Sequence, residues 1–213
     1  MEGRRLNRFA LLTSQLFLVT VVGCSGGAKP IPLPEINAAE AAGQAIALYD
    51  TNGDGSIAGD ELSAAPPLKA GLGQIDANKD DKVTKDEIED RIRAWRESKI
   101  GMLTTAFKVT RGGKPVPRVL VTLIPESYLG TDLKRASGLT DMRGRALPTI
   151  AKEDRPFPDA PPGCQLGLYR IEVTDPTGNT TVPAKYNTAT ILGQELSTQD
   201  PGVQQGWIEL KID

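Results

Sequence analysis

Two twelve-residue stretches, starting 26 residues apart, repeat one pattern of oxygen-bearing side chains. The first runs Asp50-Thr51-Asn52-Gly53-Asp54-Gly55-Ser56-Ile57-Ala58-Gly59-Asp60-Glu61, the second Asp76-Ala77-Asn78-Lys79-Asp80-Asp81-Lys82-Val83-Thr84-Lys85-Asp86-Glu87. Positions 1, 3, 5 and 12 carry Asp50, Asn52, Asp54 and Glu61 in one, and Asp76, Asn78, Asp80 and Glu87 in the other. Ser56 and Lys82, at position 7, offer backbone carbonyls. Ala58 at position 9 leaves room for water, and Thr84 fills that place in the second stretch. All the donors are oxygen, which suits a hard cation that takes six to eight such ligands, Ca²⁺ rather than Mg²⁺. Clusters of Asp, Asn and Gly also make ordinary turns. Two in register, both with Glu at position 12 and an apolar residue at position 8, argue for metal.

The flanks are helical in pattern. Asn37 with Glu40 three residues on reads as a capping box, and Ala39, Ala42, Ile46 and Tyr49 recur on one face, predicting a helix over 37–49. Pro66 disfavours helix at Ala65, so the helix leaving the first loop has one or two turns. Pro67 suits the first turn of the next helix, over 68–75, which Gly71 and Gly73 weaken. Ile88, Ile92 and Trp95 predict a firmer helix over 86–100.

Beyond Gly101 the period changes. Leu103, Thr105, Phe107 and Val109 alternate with their neighbours, as do Val119, Val121 and Leu123, then Tyr169, Ile171 and Val173, and finally Ile208, Leu210 and Ile212. Arg111-Gly112-Gly113-Lys114 reads as a turn, and the proline-rich run 152–163 as a long exposed loop. The fold class expected is α+β: a two-loop helical unit over 37–100, then an antiparallel β-sandwich over 101–213.

The chain holds no histidine, which excludes Ser-His-Asp and Cys-His nucleophilic sites and His-ligated zinc. No carboxylate pair outside the loops points to catalysis, so a non-enzymatic protein is expected. Lys+Arg 25 against Asp+Glu 27 give −2, and setting aside residues 1–23, with their three Arg and one Glu, leaves about −4. No basic patch suggests nucleic acid. Cys164, beside Pro161, Pro162 and Gly163, reads as a loop residue without a role.

The amino-terminal segment is a targeting signal. Arg4, Arg5 and Arg8 precede an apolar stretch over 9–22 that is short for a membrane-spanning helix of about 20 residues. Val21-Val22-Gly23-Cys24 resembles the lipobox of bacterial lipoproteins. That resemblance implies cleavage after residue 23, lipid on Cys24, and a membrane-anchored protein of the bacterial cell envelope, facing the periplasm or the surface. An ordinary signal peptide or a short anchor is the alternative. Residues 24–36, with Gly26, Gly27, Pro30, Pro32 and Pro34, read as a flexible and then extended tether.

The first loop resembles the EF-hand calcium loop at every ligand position, with Gly55 at position 6 for the left-handed turn. The second resembles it except at position 6, where Asp81 stands, and Lys79, Lys82 and Lys85 dilute its charge, so a weaker site is expected. In paired EF-hands the position-8 residues, here Ile57 and Val83, form a short β-bridge. A dockerin-like module, whose paired calcium loops grip a partner protein, is a neighbouring idea. The spacing of 26 requires abbreviated helices between the loops. Gly113-Lys114-Pro115-Val116 leading into Val119-Leu120-Val121-Thr122-Leu123, Thr140-Asp141-Met142-Arg143-Gly144, and Gly167-Leu168-Tyr169-Arg170-Ile171-Glu172-Val173 together resemble carboxypeptidase regulatory-like (transthyretin-like) domains. This implies a non-catalytic sandwich that acts as a spacer or binds envelope protein or glycan, with Arg118, Tyr128, Lys134, Arg135 and Arg143 as candidates for a binding face. Trp207 reads as packing or edge cover.

Overall fold

Asn37 starts the first helix, α1 (Ala38–Tyr49), accepting a hydrogen bond from the Glu40 N–H at 3.3 Å. The computed structural model describes residues 29–213; the leader over 1–23 and Cys24 lie outside the described residues. In α1 the buried face is Ala41, Ala42, Ala45 and Tyr49, and Ala39 is exposed, contrary to the spacing read from sequence. Alanines on several sides give the helix little contrast, and its packing on a later helix sets its phase.

The first loop ends in β1 (Ser56–Ala58) and α2 (Gly59–Ala64), only six residues long because the chain must leave helix before Pro66. In α3 (Pro66–Ile75) both prolines occupy the first turn, where no N–H is needed. The second loop ends in β2 (Lys82–Thr84), followed by α4 (Lys85–Glu97). Thr84 and Glu87 form the capping box that starts α4, and Ile88, Ile92 and Trp95 are buried as their spacing predicts. The helix stops at Glu97, short of residue 100, and Lys99 turns left-handed at φ 56°.

The remaining strands are β3 (Ala106–Arg111), β4 (Lys114–Pro115), β5 (Leu120–Pro125), β6 (Ala136–Leu139), β7 (Arg145–Ala146), β8 (Thr149–Ile150), β9 (Gly167–Thr174), β10 (Gly193–Leu196) and β11 (Trp207–Lys211). One sheet has the order β10-β9-β5-β6-β8; the other has β11-β3-β4, with β7 also on β3. The class is α+β. Of the alternating residues, Phe107, Val109, Val119, Val121, Leu123, Tyr169, Ile171, Val173, Ile208, Leu210 and Ile212 are buried, whereas Leu103 is only half-buried and precedes β3.

One pairing departs from the all-antiparallel expectation. β11 lies parallel to β3, with Ile208 opposite Phe107 and Leu210 opposite Val109. The helix α5 (Pro201–Gln205), capped by Asp200, ends at left-handed Gly206, and this corner re-aims the chain along β3. Cys164 also departs from its reading. It is buried, paired by its backbone to Leu103, and its thiol donates to the Pro148 carbonyl at 3.1 Å, with burial pushing its pKa up to about 12. Tyr128, a candidate for a binding face, is likewise buried.

Residues Ile31–Asp213 form one compact unit. Helices and sheets contribute to a single apolar cluster, in which α1 packs on α4 and α3 packs on β10. Gly193 allows that second contact, because a Cβ there would sit 2.1 Å from the Pro66 carbonyl carbon. Gly193→Ala is expected to push α3 off β10 and lower stability by about 1–3 kcal/mol, read by urea unfolding. An unchanged midpoint would mean that α3 adjusts freely.

Candidate cation loops

The two loops share one framework of carboxylate-to-amide bonds. Asp50 accepts from the N–H groups of Gly53, Asp54 and Gly55 at 2.7, 3.2 and 2.9 Å. Asp76 accepts from those of Lys79, Asp80 and Asp81 at 2.6, 3.2 and 2.8 Å. Asn52 accepts from Asp54 N–H, and Asn78 from Asp80 N–H. Asp54 accepts from Ser56 N–H, and Asp80 from Lys82 N–H. Glu61 closes its loop onto Thr51 N–H at 2.9 Å and Ala58 N–H at 3.1 Å; Glu87 does the same to Ala77 and Thr84 at 3.1 and 2.9 Å. The Ser56 hydroxyl and amide hold Asp54 below the usual carboxylate range, and the Ala58 amide does so for Glu61.

Positions 4 and 6 are left-handed in both loops. Gly53 and Gly55 take φ 74° and 86°, while Lys79 and Asp81 are both at 61°. A side chain in that region costs roughly 1–2 kcal/mol per residue, so the second loop is the more strained. The loops meet through β1 and β2, with Ile57 opposite Val83 and both fully buried. The abbreviated α2 and α3 account for the short spacing.

All the proposed ligand residues Asp50, Asn52, Asp54, Ser56 and Glu61, and Asp76, Asn78, Asp80, Lys82 and Glu87, therefore fall on two similar loops joined by the β1–β2 pair. Their oxygen-only donor set fits Ca²⁺ chemically. As placed, no group of three or more Asp, Glu or Cys among the described residues gathers to hold a metal ion. The carboxylates point instead at backbone amides of their own loops.

The flanks carry residues that sequence reasoning missed. Tyr49, just before Asp50, reaches both carboxylate oxygens of buried Glu126 at 3.0 and 2.9 Å. Arg170 of β9 donates to the Tyr49 hydroxyl at 2.8 Å and to the Ala64 carbonyl at 2.9 Å, and pairs with Glu126 at 3.2 Å. Burial pushes the Tyr49 pKa up to about 12 and raises that of Glu126. Beyond the second loop, Arg91 and Trp95 of α4 both donate to Glu195 Oε1, at 2.6 and 2.7 Å. Arg91 also reaches Ser197 and Gln199. A signal for one of these existed: Arg91 falls in phase with Ile88, Ile92 and Trp95, a charge on an apolar face.

No protein-family model, curated protein or solved structure matches this chain. Among the described residues, no helix is long and apolar enough to cross a membrane.

Proposed function

We propose that this is a calcium-binding, non-enzymatic lipoprotein of a bacterial envelope. In this reading an EF-hand pair sits between a lipidated tether and a transthyretin-like sandwich. The observation that carries the metal reading is the likeness of the two loops. Asp81 and Lys79 accept left-handed backbone where Gly55 and Gly53 have it free, so the second loop keeps the shape of the first at a cost. A pair of plain turns has no reason to bear that cost.

Asp50, Asn52, Asp54, Glu61 and the Ser56 carbonyl would hold one ion, and Asp76, Asn78, Asp80, Glu87 and the Lys82 carbonyl the other. A bound Ca²⁺ supplies neutralisation of clustered carboxylates and nothing more. The chain's part is to keep two loops back to back through Ile57 and Val83 and to carry their order into α1 and α4. Lipid on Cys24 would hold the unit at a membrane.

Calorimetric titration of the full chain with calcium tests this. Heat for two sites is expected, one lost in Glu61→Gln and the other in Glu87→Gln. No heat up to several millimolar calcium would overturn the reading.

A second reading, an interaction module for envelope protein or glycan with passive ions, has one observation in its favour. Leu139 and Leu147 are exposed around a hollow of about 480 Å³ that Asp141, Arg143 and Arg145 also line. Trp207, half-exposed, carries Lys108 over its ring at 5.6 Å, which fits edge cover rather than a sugar platform.

A further inference from the structure

Each loop is flanked by two helices, and one residue of the sheet touches both members of each pair. The first loop lies between α1 and α2. The Arg170 guanidinium grips the last residue of α1 through the Tyr49 hydroxyl and the last residue of α2 through the Ala64 carbonyl, using the same nitrogen for both. Glu126 fixes Arg170 and Tyr49 from behind. The second loop lies between α3 and α4. Glu195 is fully buried, and its Oε1 takes both Arg91 and Trp95 of α4. A Cβ placed on Gly71 of α3 would lie 3.2 Å from both the Cβ and Oε2 of Glu195, so this carboxylate lies directly against α3. Its Oε2 has no hydrogen-bond partner and is shut from water.

The two residues are close in the sheet. Arg170 pairs with Gly193, and Glu195 with Leu168, on the neighbouring strands β9 and β10. A cation clasps one helix pair and an anion the other. Nothing in the loops themselves calls for either group.

We infer that Arg170 and Glu195 are positioning residues for the two cation loops, each setting the affinity of one loop by fixing the spacing of its flanking helices. The inference rests on the calcium reading above. The physical ground is preorganisation: a loop whose ends are already held gives up less freedom when its oxygens close on an ion. Linkage makes the effect reciprocal, so an ion in the first loop tightens the β9 clasp and an ion in the second tightens the β10 clasp.

The test uses the full chain and calcium alone. Arg170→Met is read in the Glu87→Gln background, where only the first site remains, and Glu195→Gln in the Glu61→Gln background. Each also needs its crossed control. Arg170→Met is expected to weaken the first site about tenfold and leave the second within about twofold; Glu195→Gln does the reverse. Arg170→Lys keeps the charge beside Glu126 but loses the fork, and should fall between wild type and Arg170→Met. Amide exchange on calcium-free protein gives a readout that needs no metal. Arg170→Met should speed exchange across 50–64 and spare 76–91, and Glu195→Gln the opposite. Equal weakening of both sites, exchange spread over the whole chain, or no change in either variant would overturn the inference. If the wild type binds no calcium, the calcium reading fails, and exchange alone decides whether the clasps hold their own loops.

Discussion

Calcium at 10 mM should raise the melting temperature of this protein by roughly 10–20 °C over the chelated state. The figure follows from mass action. A loop of extracellular type with a dissociation constant of about 10⁻⁴ M is then near a hundredfold saturation, which stabilises the fold by about 2.7 kcal/mol. Two loops give about 5 kcal/mol, and a unit of this size shifts by roughly 2–4 °C per kcal/mol. The effect should reach the whole compact unit, because Ile57 and Val83 lie in the apolar cluster that also holds Phe107 and Tyr169. Glu61→Gln and Glu87→Gln should each remove part of the shift, and the double variant all of it. The larger part should go with Glu61, since Lys79 and Asp81 burden the second loop with left-handed backbone. Magnesium at the same concentration should do much less, because it prefers water and a stricter octahedron. A wild-type melt that ignores calcium up to 10 mM would leave the loops as plain turns.

Local chemistry was the legible part of this chain. The start of α1 at Asn37, the stop before Pro66 and the face of α4 follow from caps, prolines and a clear apolar period. The pairing of Ile57 with Val83 came from the likeness of the loops to paired EF-hands, not from those local signals. The phase of α1 was not legible: with Ala38, Ala39, Ala41, Ala42, Ala45 and Ala47 in one helix, spacing cannot choose a face, and packing did. Cys164 was misread because Pro161-Pro162-Gly163 signals a loop, yet the chain turns into the core at the next residue. The parallel pairing of β11 with β3 joins segments about a hundred residues apart, and alternation carries no information on strand direction. The clasps lie in the same blind spot. Arg170 sits at an outward position of an alternating strand, beside Glu126, and only the arrival of α1 and α2 gives it helices to hold.

Arg91→Ala should cost about 3–5 kcal/mol, a large share of the roughly 5–15 kcal/mol that holds a domain together. The loss is not the value of one salt bridge. It is the cost of leaving Glu195, fully buried, with only the Trp95 N–H for company. Replacing both partners, as Arg91→Met with Glu195→Met, should recover most of the stability, since the charge that needs compensation has gone. The deficit of the single variant should also depend on pH, with a definite sign. Burial raises the Glu195 pKa, and Arg91 is the main group opposing that rise. An acid whose folded pKa lies above its unfolded value lends stability below the unfolded pKa and loses it as pH rises through the folded one. Removing Arg91 lifts the folded pKa further and moves that window upward. The gap between variant and wild type in urea unfolding should therefore be widest near neutral pH and narrow as the solution approaches about pH 5. A gap that stays constant over this range, or one under about 1 kcal/mol, would mean that water reaches Glu195 once Arg91 is gone. In that case the β10 clasp would be too loose to hold α3 and α4 in place around the second loop.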